Sequence, residues 1–185
     1  MIAQSMTYRF SVGEYHKLGE IGILGEDDRI ELLDGELAIM SPIGSPHFAT
    51  LNRLNDLFTA RLRNRCTVSP QNPIGLGEYS EPQPDIALLK SRPDFYRAGL
   101  PGPDDVFLLV EVADSSLYYD RAKLKLYARA GIREVWIVNL SRREVEIYRQ
   151  PQGESYAAES RVGNGGSVTP EAFADCPLEV KDILG

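Results

Sequence analysis

The amino-acid sequence predicts an α/β or α+β domain with a mixed central β-sheet flanked by helices. Residues 106–112 are apolar on both faces, which is typical of a central strand covered by helices on each side. Segments with strand and helix periodicity alternate along the chain, an order that favours this class. A chain of 185 residues with 43% hydrophobic and 25% charged residues fits one globular domain.

The N-terminal part predicts a short helix followed by a hairpin. Ser11 and Glu14 match a capping box, in which each side chain caps the other's backbone amide, so a helix should run to about Leu18. Asp34 and Gly35 form the Asp-Gly pair that is typical of a type I′ turn. This pair separates two strand-like runs, at residues 29–33 and 36–40.

A long amphipathic helix is predicted over residues 46–62. Ser45 is its expected N-cap, and Pro46 occupies the first helical position. Apolar residues recur every three or four positions, at Phe48, Leu51, Leu54, Phe58 and Leu62. His47 falls by spacing on the inward-facing stripe of this helix.

The remaining elements alternate between strands and one further helix. Strands are predicted at residues 67–74, 85–89, 106–112 and 135–140, with an edge strand at 144–148. Residues 90–105 are rich in Pro and Gly and predict a loop. A helix should begin near Leu117 and end at Gly131, which can adopt the left-handed C-cap conformation.

Composition narrows the possible environments and partners. The formal net charge of -7 argues against a sequence-independent DNA coat, although residues 117–149 carry eight Lys or Arg against four acids. Cys66 and Cys176 lie far apart and outside any zinc-binding pattern. Because the longest apolar run is far shorter than the roughly 20 residues of a membrane span, and the N-terminus lacks a secretory pattern, we expect a cytoplasmic protein without membrane contact.

Two acids in strands are the first candidate functional residues. Asp85 opens an apolar strand directly after Pro84, and Glu111 lies near the end of the most apolar strand. A buried carboxylate costs several kcal/mol unless it is paired or binds a metal. Each acid alone could be solvated or paired with Arg, but two carboxylates on adjacent strands can share one Mg²⁺ ion.

Lys123 is the candidate catalytic cation. Asp120, Lys123 and Tyr127 are three and four residues apart, so they share one face of the predicted helix. From that face Lys123 could orient an attacking water or stabilise a phosphate in the transition state. A solvated helix lysine is the alternative.

The ordered motifs resemble the Uma2 family (formerly DUF820), of the PD-(D/E)XK restriction-endonuclease-like superfamily. The resemblance covers about residues 8–148 and rests on ELLDGEL at 31–37, SP at 41–42 with His47, PD at 84–85, EVADSS at 111–116, DRAK at 120–123, YARAG at 127–131 and EVWIV at 134–138. It implies the superfamily's mixed sheet and a Mg²⁺- or Mn²⁺-dependent endonuclease that hydrolyses DNA.

The same resemblance implies roles for individual residues. Asp85 would be the acid of the Pro-Asp motif and Glu111 the acid of the second half-motif, and both would bind the metal. The superfamily's lysine lies two residues after that glutamate, where this chain has Ala113. In Uma2-like sequences the lysine is displaced to the following helix, which points to Lys123.

Four further residues are candidates for supporting or substrate-contacting roles. His47 either supports the site or closes the edge of the core through a hydrogen bond. Glu31 is another acid among apolar strand residues. Asp114 is either a further metal-shell ligand or, preferably, the N-cap of the Lys123 helix. Tyr127 could hydrogen-bond the site through its hydroxyl or serve packing alone.

Three functions remain open from the sequence. The favoured one is a DNA endonuclease, expected to act as a homodimer because cutting both strands of a duplex commonly uses a two-fold pair of sites. The others are an inactive nucleic-acid-binding or regulatory module of the same fold and a metal-dependent hydrolase of smaller phosphates. We expect one domain over residues 1–185, with a core at about 8–150 and a C-terminal extension at 151–185.

Overall fold

The computed structural model describes residues 7–25, 27–114 and 117–185. Its helices are α1 (Val12–Glu20), α2 (Ser45–Arg61), α3 (Leu117–Arg129) and α4 (Val180–Leu184). Its strands are β1 (Ile30–Leu33), β2 (Glu36–Ile39), β3 (Thr67–Pro70), β4 (Ile86–Leu89), β5 (Val106–Ala113), β6 (Glu134–Asn139), β7 (Glu144–Gln152), β8 (Ser155–Gly163), β9 (Ser167–Val168) and β10 (Leu178–Glu179). Within the described ranges, no helix is long and apolar enough to cross a membrane.

A six-stranded mixed sheet forms the centre of the molecule, in the order β3-β4-β5-β6-β7-β8. β5 and β6 are parallel, and the other neighbouring pairs are antiparallel. α3 connects the two parallel strands, as a parallel pair requires a crossover connection. The predicted mixed sheet flanked by helices is therefore confirmed.

Each face of this sheet has its own hydrophobic core. Because successive strand residues point to opposite faces, Val110 and Val112 of β5 pack on the side of α2. Leu109 and Ala113 pack on the side of α3, and Glu111 lies between them in the strand. β5 is thus buried on both faces, as its apolar sequence predicts.

The N-terminal helix and hairpin form as predicted. Ser11 caps α1 and Glu14 completes the capping box. Asp34 and Gly35 have φ angles of 53° and 85°, the two positive values that a type I′ turn requires. A Cβ at Gly35 would lie 2.6 Å from Cβ of Arg9, so the close approach of the N-terminal segment also requires glycine.

Two details of α2 differ from the prediction. The N-cap residue is Gly44, and Ser45, the predicted cap, is the first helical residue. Phe48 is 61% exposed, although it belongs to the predicted apolar set. At 100° per residue it lies about 90° from the centre of the buried stripe of Leu51, Leu54 and Phe58, and so on the flank of the helix.

Two strand predictions also need correction. The strand predicted at 67–74 ends at Pro70, because Gln71 takes a positive φ of 50° and turns the chain. The strand predicted as an edge at 144–148 lies between β6 and β8, so β8 is the edge instead. Glu144 and Glu146 alternate with apolar residues in β7, which suggested an edge strand. Glu146 is nevertheless buried and Glu144 is half-buried, so this alternation does not mark a face exposed to solvent.

The segment after residue 150 completes the sheet and the core. It supplies β8, and its buried side chains Phe173, Leu178, Val180 and Ile183 join the core on the α2 side. α4 packs against α2, where Arg53 donates a hydrogen bond to the carbonyl of Leu184. The predicted extension at 151–185 is therefore packed into the same core.

A buried acid ties this segment to the central sheet. Glu134 of β6 accepts hydrogen bonds from Trp136 Nε1 at 2.8 Å, Arg149 Nε at 2.9 Å and the backbone amide of Glu171 at 2.7 Å. Arg149 also donates to the carbonyl of Thr169. One carboxylate thereby links β6, β7 and the C-terminal segment.

We expect Glu134→Ala to lower the free energy of unfolding by about 3 kcal/mol. The substitution leaves the indole N–H of Trp136 buried without its partner and the Arg149 guanidinium without its counter-charge; because Arg149 is 31% exposed, water offsets part of the loss. Urea denaturation measures the change. The control is Glu154→Ala, which removes an exposed ion pair with Arg129 and should cost about 0.5 kcal/mol or less. Equal losses in both variants would contradict this role of Glu134.

Candidate active site

A cavity of about 350 Å³ opens where the hairpin, the start of α2, the ends of β4 and β5, and the start of α3 meet. We call it the acidic cavity. Its lining includes seven charged side chains and one histidine: Arg29, Glu31, His47, Asp85, Glu111, Asp114, Asp120 and Lys123. Six of the seven predicted site residues therefore line one cavity. The seventh, Tyr127, donates a hydrogen bond from its hydroxyl to Glu111.

Asp85, the residue immediately before β4, contacts three other segments. Its Oδ2 accepts a hydrogen bond from the backbone amide of Val112 at 2.8 Å, and its Oδ1 lies 2.9 Å from Nε2 of His47 and 3.3 Å from Nε2 of Gln71. β4 and β5 are antiparallel, with Ile86 opposite Val110. Extending this register by one residue puts Asp85 opposite Glu111, where cross-strand side chains are neighbours.

Glu111 and Lys123 form a buried ion pair between the sheet and α3. Nζ of Lys123 lies 2.8 Å from Oε1 of Glu111, which also accepts a hydrogen bond from the Tyr127 hydroxyl. The Lys123 side chain is 2% exposed, so its predicted orientation away from solvent is confirmed. Asp120, Lys123 and Tyr127 are all buried, as expected for residues on one inward face of α3.

Glu31 of the hairpin is the second partner of this lysine. Its Oε2 lies 3.2 Å from Nζ of Lys123 and accepts a hydrogen bond from the amide of Gln83. Its Oε1 accepts a hydrogen bond from the Tyr119 hydroxyl. Lys123 is thereby held between two carboxylates that come from separate parts of the fold.

The charges in the acidic cavity are unbalanced, and this changes how its groups ionise. Burial raises the pKa of Glu111 above its usual value; Lys123 opposes the shift, while Asp85, Asp120 and Glu31 add to it. Burial alone would lower the pKa of Lys123, but Glu111 and Glu31 reverse the direction and raise it. Lys123 therefore stays protonated at neutral pH, and the acids remain in excess.

His47 connects α2 to this cluster of acids. Burial opposes the charged form of the imidazole, but the neighbouring Asp85, with a further contribution from Asp120, outweighs burial and raises the pKa of His47 above its usual value. The predicted inward orientation of His47 is confirmed, since it lines the cavity beside Asp85.

Comparison with known proteins assigns the family. The model of the Uma2 family, described as "Putative restriction endonuclease", matches residues 12–181. This chain belongs to the Uma2 family. The crystal structure of a "putative nuclease belonging to DUF820" from Anabaena variabilis ATCC 29413 is similar, with a TM-score of 0.76 and 15% identity over 95% of this chain and 97% of that chain. The comparison with curated proteins found no match.

These findings confirm the resemblance drawn from the motifs and the restriction-endonuclease-like fold class. At 15% identity, the similarity to the solved structure concerns the fold. The family description supports a nuclease function for this Uma2 protein.

The donor atoms in the acidic cavity fit a hard divalent cation. Carboxylate oxygens are the ligands that Mg²⁺ prefers, and Mg²⁺ commonly uses one or two of them and keeps several waters. Among the residues that the structure describes, no group of three or more His, Cys, Asp or Glu is arranged to enclose a metal. Asp85 and Glu111 are the two carboxylates that could share such an ion, and its charge would offset the excess of acids.

Several residues of the site were not predicted from the sequence. Arg29 lines the cavity and donates a hydrogen bond to the carbonyl of Ser41. Tyr119 and Gln83 hold Glu31 in place. Tyr119 lies four residues before Lys123, so helical spacing alone could have suggested that it reaches the same neighbourhood.

Asp114 lines the acidic cavity and is exposed. Its predicted role as the N-cap of α3 depends on Ser115 and Ser116, which lie outside the described residues.

We expect the pKa of His47 in the metal-free protein to lie above 6.5 and to fall in Asp85→Asn, because that substitution removes the neighbouring negative charge. Since the folded-state pKa is raised, the pair stabilises the fold fully below the unfolded-state pKa, and this stabilisation is lost as pH rises through the folded-state pKa. NMR titration of the imidazole protons measures it. The chain has two histidines, so a His16→Gln variant assigns the signals. An unchanged His47 pKa in Asp85→Asn would contradict the pairing.

Proposed function

We propose that this Uma2 protein is a metal-dependent endonuclease that hydrolyses phosphodiester bonds of DNA, with Mg²⁺ or Mn²⁺ as its cofactor. The observation that carries the proposal is the buried ammonium group of Lys123, 2.8 Å from Glu111 in a cavity that Asp85 also lines. A buried lysine with two buried carboxylates is costly to maintain for stability alone, because removing charges from water can cost more than their mutual attraction returns. Such an arrangement is typical of a site built for charged substrates.

Each of these residues has a distinct part in the proposed reaction. Asp85 and Glu111 would hold the divalent cation, which would lower the pKa of a bound water and offset charge on the phosphate. Lys123 presents a protonated Nζ toward the scissile phosphate and stabilises the charge that develops on its oxygens. Glu31 and Tyr127 keep Lys123 and Glu111 in position, and His47 does the same for Asp85.

An inactive nucleic-acid-binding or regulatory module is the second candidate. The observation that favours it is that Lys123 is already engaged by Glu31 and Glu111, in a chain whose net charge is -7. In that case the acidic network would serve to fix α3 against the sheet. The homodimer stays a prediction, which sedimentation velocity tests directly.

The first test is Glu111→Gln. Glutamine keeps the shape of the side chain and removes the charge that holds the metal, so we expect loss of Mg²⁺-dependent cleavage of supercoiled plasmid. EDTA should abolish wild-type cleavage in the same way. Because Glu31 remains as a partner of Lys123, the metal-free variant should stay folded, which a thermal melt measures. Cleavage by Glu111→Gln at the wild-type rate would rule out the proposed site, and a wild type that cuts no nucleic acid would favour the inactive module.

The second test separates Lys123 from the metal. Lys123→Ala should still bind Mg²⁺ but lose turnover by roughly 100-fold or more, the effect of removing one electrostatic stabiliser of the transition state. Isothermal titration with Mg²⁺ and plasmid cleavage measure the two properties separately. Lys125→Ala is the matched control, since Lys125 is an exposed lysine on the same helix. Equal turnover in the two variants would remove Lys123 from the mechanism.

A further inference from the structure

Two large apolar side chains stand exposed at the mouth of the acidic cavity. Tyr118, in the first turn of α3, is 91% exposed, and Ile39, at the end of β2, is 80% exposed. Both side chains line the cavity, to which they come from two separate elements. They share this lining with Asp85, Glu111 and Lys123.

The charges of this cavity limit how it can attract a nucleic acid. Five acids and two cationic side chains, Arg29 and Lys123, line it. Binding of a regular duplex relies on basic residues that neutralise phosphates. The lining therefore offers little of the electrostatic attraction to phosphates that duplexes and single strands both use, so affinity has to come from another kind of contact.

Aromatic stacking on an unpaired base supplies such a contact. Bases in a duplex are stacked on one another, so their faces are covered, whereas an unpaired base presents a free face to an aromatic ring. Stacking of this kind binds single strands with little sequence preference. The exposed ring of Tyr118, with the exposed side chain of Ile39 in the same lining, offers such a surface beside the proposed site of cleavage.

We propose that the substrate is DNA with unpaired bases next to the scissile phosphate, such as a bubble, flap or single strand. A base stacks on Tyr118 against Ile39, and the neighbouring phosphate enters the acidic cavity. This inference rests on the proposed nuclease function and names its class of substrate. A protein partner could also cover exposed apolar residues, but their position on the rim of the acidic cavity favours a ligand that also enters the cavity.

The test compares two DNA ligands of equal length, one fully paired and one with a central unpaired bubble that carries 2-aminopurine. Binding is measured by fluorescence anisotropy in the full chain with Glu111→Gln, which prevents cleavage. We expect the bubble to bind about 10-fold or more tightly than the duplex, with quenching of the 2-aminopurine emission. Tyr118→Ala should abolish the preference, and Tyr118→Phe should keep it, because the ring and not the hydroxyl makes the contact.

Phe95→Ala is the matched control, because Phe95 is an aromatic residue with 77% exposure that does not belong to the lining of the acidic cavity. It should leave both affinities unchanged. Equal affinity for bubble and duplex would overturn the proposal, and so would an equal loss for both ligands in Tyr118→Ala. A dimer that Tyr118→Ala converts to monomers in sedimentation would overturn it as well, because the rim would then be a protein interface.

The same measurements keep this inference apart from the proposed function. If the bubble binds through Tyr118 but the wild type cuts no DNA, the binding preference for unpaired bases stands and the nuclease activity fails. If the wild type cuts paired DNA as fast as bubbles, and Tyr118→Ala cuts at the same rate, the nuclease activity stands and the substrate class fails.

Discussion

The arrangement of the site depends on the ion pairs that the ammonium group of Lys123 forms with Glu31 and Glu111. A charged group with 2% exposure is tolerated when carboxylates surround it closely, because removing an unpaired charge from water costs several kcal/mol. Glu111 comes from the central sheet and Glu31 from the hairpin. The requirement to neutralise one lysine therefore holds α3, the hairpin and the sheet in fixed relative positions.

The same requirement explains why the site brings together residues that are far apart in the chain. The hairpin contributes Glu31, the start of α2 contributes His47, and the two neighbouring strands contribute Asp85 and Glu111. Each side chain has a hydrogen-bond or ion-pair partner from a different element. Paired substitutions at contacting positions are therefore not expected to be additive.

The sequence predicted the elements well where local signals are strong. The Asp-Gly turn, the capping box at Ser11 and the two-sided apolar strand β5 all form as expected. Errors arose where tertiary packing decides. Local alternation in β7 could not reveal that a further strand lies beside it, and the segment after residue 150 joins the core through contacts such as that of Glu134 with Glu171, which are long-range.

The site shows the same division between local and long-range information. Helical spacing was enough to put Asp120, Lys123 and Tyr127 on one face, and the structure confirms that all three are buried. The second carboxylate beside Lys123 was not predictable as its partner, because Glu31 precedes it by about 90 residues and meets it through the packing of the hairpin. Arg29 enters the cavity for the same reason.

The two edges of the central sheet are protected against pairing with other chains. β3 has four residues and ends at Pro70, which has no amide hydrogen to donate to another strand. β8, at the opposite edge, presents the exposed ion pair of Glu159 and Arg161 along its length. Charges, prolines and short strands are the means by which natural sheets avoid edge-to-edge aggregation. A second copy of this chain would consequently associate through side-chain surfaces rather than by extending the sheet.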